Sequence, residues 1–101
     1  MKYNKLVRDK IPEYLESVNV TYRIHTADEL EYWEKLKAKL QEEVAEFMNN
    51  DNDLGEIADI LEVIEAICDY RQFNNMDLKK IKSEKAAKRG RFQKRIILEE
   101  S

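Results

Sequence analysis

The sequence predicts an all-α fold: an antiparallel helical bundle with short extended segments near the termini. Three observations support this. Trp33, Leu36, Leu40, Val44 and Phe47 recur at three- and four-residue steps, as do Leu54, Ile57, Leu61, Ile64 and Cys68; this is the signature of core-facing helices. Asn49-Asn50-Asp51-Asn52-Asp53 separates the two stretches. Asn and Asp compete for their own backbone and favour turns, so the first helix ends there and the second should lie alongside it. Alternating or extended patterns are confined to short segments, Val20 to His25 and Ile96 to Leu98.

Met1 to Lys10 is basic and partly extended. Tyr3, Leu6 and Val7 can pack while Lys2, Lys5, Arg8 and Lys10 stay out, which alone suggests a solvated basic terminus. Pro12 suits the first turn of a short helix, Pro12 to about Ser17, where its missing N–H costs nothing. Val20, Tyr22 and Ile24 alternate with Thr21, Arg23 and His25, a short-strand signal. His25 is the single histidine; just before a helix start it is expected at the surface, without a catalytic role. Thr26-Ala27-Asp28-Glu29 is a helix start with Thr26 as N-cap and Glu29 at N3. The first long helix then runs to about Met48. The second runs from Leu54 to about Gln72 and is broken by Phe73-Asn74-Asn75. A third spans about Met76 to Arg89, with Gly90 as an αL terminator. Leu78, Ile81 and Ala86 give this helix a thin apolar side, and Lys79, Lys80, Lys82, Lys85, Lys88 and Arg89 make the rest basic. Ile96-Ile97-Leu98 is expected to be extended, able to pair with Val20 to Ile24 or with the N-terminal stretch.

At 101 residues the chain is one domain's worth, residues 1–101, and a hydrophobic fraction of 43% allows a modest core. Small chains with long helices often bury their remaining apolar surface by oligomerising. Charged residues make up 39%, yet the formal net charge is −3. Without a basic excess, general nucleic-acid binding is not expected. A single cysteine, Cys68, excludes an internal disulfide and fits a reducing cytoplasm. Its place on an apolar stripe marks it as a buried, inert thiol. No apolar run approaches the ~20 residues of a membrane span, and no signal peptide is visible.

The chemistry lies in the acidic stretch from Gln41 to Asp69. At about 100° per residue, Glu43 and Glu46 flank the apolar stripe of the first long helix, and Glu42 points further from it. On the second, Glu56 and Asp59 share a face with Val63, Ala66 and Tyr70, while Glu62, Glu65 and Asp69 sit elsewhere and are expected to be solvated. Like charges three or four residues apart disfavour a helix, and bare carboxylates beside apolar residues are costly unless partnered. A hard divalent cation such as Mg²⁺ turns that repulsion into binding while leaving positions open for substrate phosphates. Solvation accounts for any one of these acids alone, and a capping box from Asp53 to Glu56 accounts for Glu56. Neither explains Asp59 on the same face, nor Glu43 and Glu46 on the helix alongside.

Glu42-Glu43-Val44-Ala45-Glu46 followed by Glu56-Ile57-Ala58-Asp59 resembles the ExxE…ExxD pattern, in its EExxE form, of the all-α nucleoside triphosphate pyrophosphohydrolases. These are the MazG-like enzymes, related to phosphoribosyl-ATP pyrophosphohydrolase. Lys5-Leu6-Val7-Arg8-Asp9-Lys10-Ile11-Pro12, Arg89-Gly90-Arg91-Phe92 and Arg95-Ile96-Ile97-Leu98 are similar to a small single-domain branch of that superfamily. The likeness covers nearly the whole chain, although the link from Phe47 to Gly55 is short for the group.

The resemblance implies Mg²⁺-dependent hydrolysis of a nucleoside triphosphate to the monophosphate and pyrophosphate, with Mn²⁺ as a substitute ion. Glu43, Glu46, Glu56 and Asp59 would be the metal ligands, and Glu42 the residue that orients or deprotonates the attacking water. Substrate phosphates need cationic partners, for which arginine offers bidentate geometry. Arg91, Lys94 and Arg95 are candidates, with Lys5 and Arg8 as rivals. Lys10 is expected near the cleft, and Asp9 could pair with a nearby arginine. Two other functions fit the same residues: the histidine-pathway reaction on phosphoribosyl-ATP, and a non-catalytic helical oligomerisation module. The second long helix carries apolar residues on two sides, and relatives of this fold build their cleft at a subunit interface. A homodimer or homotetramer is therefore expected, with neither nucleic acid nor membrane as a partner.

Overall fold

Four helices account for the regular structure of the computed structural model, which describes residues 3–50 and 53–101: α1 (Ile11–Ser17), α2 (Glu29–Asn49), α3 (Leu54–Tyr70) and α4 (Asn75–Arg89). The expectations for Met1, Lys2, Asp51 and Asn52 lie outside the described residues. The fold is an all-α antiparallel bundle, and no strand occurs among the described residues. Val20 to His25 and Ile96 to Leu98 are irregular and form no strand ladder with any described residue. Alternation signals only what a segment can do once it has a partner.

The helix starts differ from the expectation in instructive ways. Asp28, not Thr26, caps α2, its carboxylate accepting from the Glu31 N–H at 2.8 Å. At α3, Asp53 is the cap, but its side chain accepts from Gly55 N at 2.7 Å. The Asp53 N–H is already taken by the Asn50 carbonyl at 3.0 Å. No capping box closes, and the Glu56 carboxylate is left to turn inward.

Helices α2 and α3 pack along their length. At one end Trp33 stacks on Tyr70 with ring centroids 5.6 Å apart, and Tyr32 meets Tyr70 edge-on at 5.4 Å. At the other end, beside the short link, lie the carboxylates of both helices. The core is small: Leu36 on α2, and Val63 and Cys68 on α3. The thiol is thus buried as expected. The face of α3 turned to α2 is the smaller cluster of Glu56, Asp59, Val63, Ala66 and Tyr70. The main apolar stripe faces out over its first three turns, with Leu54 82%, Ile57 38%, Leu61 60% and Ile64 37% exposed, and only its last member, Cys68, is buried. The α4 helix keeps Leu78 and Ile81 exposed as well. No helix among the described residues is long and apolar enough to cross a membrane.

Candidate metal centre

The link between α2 and α3 makes the end of one helix and the start of the other neighbours, so the last acidic turns of α2 face the first of α3. Carboxylate oxygens of Glu42, Glu43 and Glu46 lie within 4.8 Å of one another, and those of Glu43, Glu56 and Asp59 do the same. Glu43 belongs to both groups. It is also the one buried charged residue among the described residues, 6% exposed.

Two oxygens in this cluster lack partners. Glu43 Oε2 and Glu56 Oε2 are shut off from solvent and accept no hydrogen bond. An ionised oxygen in that position is costly unless a cation or proton meets it. The strain appears as proton affinity. The Glu56 carboxyl is pushed up to about 7 by loss of solvation first, then by the adjacent Glu43 carboxyl and the charges of Glu46 and Asp59. An all-oxygen, carboxylate-rich donor set of this kind suits a hard divalent ion.

Cations line the rim. A stretch of chain before α1 crosses the cluster, with Lys5 Nζ 3.0 Å from Glu42 and Arg8 Nη2 2.8 Å from Asp59. Arg8 also reaches Glu62 at 3.7 Å. Asn4, at φ 46°, turns the backbone just before Lys5. Lys39, one turn earlier on α2, lies 3.2 Å from Glu43 and 3.5 Å from Glu42. Partial burial pulls the Glu42 carboxyl upward, but Lys5 and Lys39 prevail and hold it below its ordinary value. Hydrogen bonding to Glu42 correspondingly raises Lys5.

Sequence reasoning named Glu42, Glu43, Glu46, Glu56 and Asp59, and the structure brings all five together. It places Lys5 and Arg8 on them. Arg91, Lys94 and Arg95 are exposed and make no ion pair with a described residue. Lys10 is exposed at the start of α1. Asp9 does not hold Arg8: Asp59 and Glu62 do. Lys39 was missed, although its i, i+3 and i, i+4 spacing to Glu42 and Glu43 was readable. His25 is exposed and pairs with Glu31 at 2.9 Å, away from the acids.

No family model matches the chain, and no solved structure does. A stretch of 42 residues is 52% identical to an uncharacterized protein of Mycolicibacterium smegmatis. That stretch is 42% of this chain and 43% of the mycobacterial protein.

Proposed function

We propose that this chain is a Mg²⁺-dependent nucleotide pyrophosphohydrolase that cleaves a nucleoside triphosphate to the monophosphate and pyrophosphate. The observation that carries the reading is Glu43: a buried carboxylate with one partnerless oxygen, shared by two carboxylate triads on facing helices. Glu43, Glu46, Glu56 and Asp59 would hold the ion, with Mn²⁺ as a substitute. When bound, such an ion offsets phosphate charge and activates water.

The chain's own groups do the rest. Water attacks the α-phosphorus, its new P–O bond replacing the α–β anhydride bond; pyrophosphate leaves with the electron pair, and the proton lost by the water passes to solvent. Glu42, tied to Lys5 and Lys39, is a weak base, so its role is to accept a hydrogen bond from the attacking water and orient it. Lys5 and Arg8, at the rim of the cluster, would meet phosphate oxygens. Arg91, Lys94 and Arg95 remain candidates for the same task, delivered from a second chain of a homodimer or homotetramer. The bare apolar row on α3 supports that assembly, and also the alternative of a helical module that oligomerises without catalysis.

The test is pyrophosphate release across a panel of canonical and modified nucleoside triphosphates and phosphoribosyl-ATP, with Mg²⁺ and with chelator. Release only with Mg²⁺ is expected. Release only from phosphoribosyl-ATP would move the reaction to the related pathway enzyme. No release from any member, with Mg²⁺ bound, would leave the oligomerisation module.

A further inference from the structure

Two segments of the chain are built for β pairing and have no strand partner among the described residues. Val20 to His25 is rich in β-branched and aromatic residues, and so is Ile96 to Leu98. In neither do the backbone groups of residues 21–27 or 96–100 make a backbone hydrogen bond to any described residue. Apart from Tyr22, which is half-buried and donates its hydroxyl to Glu16, their apolar side chains stand in solvent: Val20 48%, Ile24 59%, Ile96 77%, Ile97 81% and Leu98 78% exposed. Such edges are templates for addition of another strand.

We propose that the segment after α4, around Ile96–Glu100, pairs as a β-strand with Val20–His25 of a second copy of the chain. Within one chain the two segments remain unpaired. Their charges are complementary, since Glu99 and Glu100 follow the apolar run while Arg23 lies on the other segment. The surface to be covered is ample. The chain exposes 9723 Å², against roughly 6,000 Å² for a compact monomer of this mass. A stable interface needs only about 800 Å² from each partner. Exchange between two copies satisfies both edges twice and carries Arg91, Lys94 and Arg95 onto the partner. This proposal stands independently of the enzymatic reading.

Paramagnetic labelling tests it without assuming a register. A nitroxide is placed on Ile97→Cys in a Cys68→Ser background, and this unenriched chain is mixed with ¹⁵N-labelled chain lacking the label. Broadening of the amides of residues 20–25 in the ¹⁵N chain is the expected result. A label on Ser101→Cys repeats the test should position 97 disturb the pairing. Broadening seen only when label and ¹⁵N share one chain would place the pairing within a chain and overturn the proposal. No broadening in either arrangement overturns it too. Ending the chain after Gly90 should lower the mass by light scattering while helical circular dichroism persists; an unchanged mass counts against exchange.

Discussion

Glu46 offers the cleanest test of the carboxylate cluster. Glu42, Glu43 and Asp59 each hold a lysine or arginine, so neutralising any of them also frees a cation. Glu46 makes no ion pair among the described residues. Glu46→Gln should therefore leave the melting temperature in chelator unchanged or raised, because a repelling charge is gone. The rise in melting temperature on adding Mg²⁺ should shrink. Turnover should fall by more than the roughly 10–100-fold typical of outer-shell metal partners. Wild-type turnover would remove Glu46 from the mechanism. Glu56 makes a pH prediction. Its carboxyl ordinarily titrates at 4.5 and is pushed up to about 7 here. A group that binds its proton more tightly when folded stabilises the fold below its unfolded value, and that stability is lost as pH rises through the folded one. The metal-free protein should thus lose melting temperature between about pH 4.5 and 7, and Glu56→Gln should flatten that slope. A wild-type slope retained in the variant would assign the titration to another group.

At the level of the elements, helix ends test the backbone. Both α1 and α3 close with paired bonds, Val20 N to Leu15 O and Asn19 N to Glu16 O in one, Phe73 N to Cys68 O and Gln72 N to Asp69 O in the other. This Schellman pattern needs a left-handed residue. Asn19 (φ 59°) supplies it acceptably, but Gln72 (φ 57°) does so at a cost. Gln72→Gly should stabilise by about 1 kcal/mol, read as a shift in the urea midpoint. Gly90 ends α4 at φ 81°, ψ −178°, a region essentially restricted to glycine and not the αL state expected of it. No atom would crowd a Cβ there, so Gly90→Ala should cost about 1–3 kcal/mol through backbone strain alone. The existence of the long helices was legible because a 3.6-residue period survives in Trp33 through Phe47 and in Leu54 through Cys68. The choice between two cap-forming residues, Thr26 and Asp28, was not. Neither was the face of α3 that packs, since both faces carry apolar residues and the choice depends on where the carboxylates of α2 lie. The acids of the site were legible from local spacing. The partners of Lys5 and Arg8 lie 37 and 51 positions away and depend on how the chain crosses the helices.

The whole chain is too extended for its length. Its radius of gyration is 17.8 Å, with extents of 55 × 31 × 24 Å, where a compact chain of this size has about 13 Å. Among the described residues α2 and α3 are the helices that pack extensively on each other, and α3, its smaller face on α2, leaves Leu54 and Leu61 bare and Ile57 and Ile64 over a third exposed. Neither α4, with its thin apolar side, nor the short α1 covers them. A contiguous apolar row of this kind marks an interaction site, and a two-fold contact lets one row cover its own copy. Leu61→Glu puts a charge at the middle of the row while keeping a good helix former. The wild type should scatter as a dimer or larger at micromolar concentration. The variant should lose mass relative to the wild type, keeping only the association that strand exchange provides, with its helical circular dichroism kept, because Leu61 is 60% exposed and lies outside the buried core. Loss of helix together with mass would mean that position 61 supports the fold itself. A wild type already at the mass of one chain would show that the exposed row has no partner in a second copy.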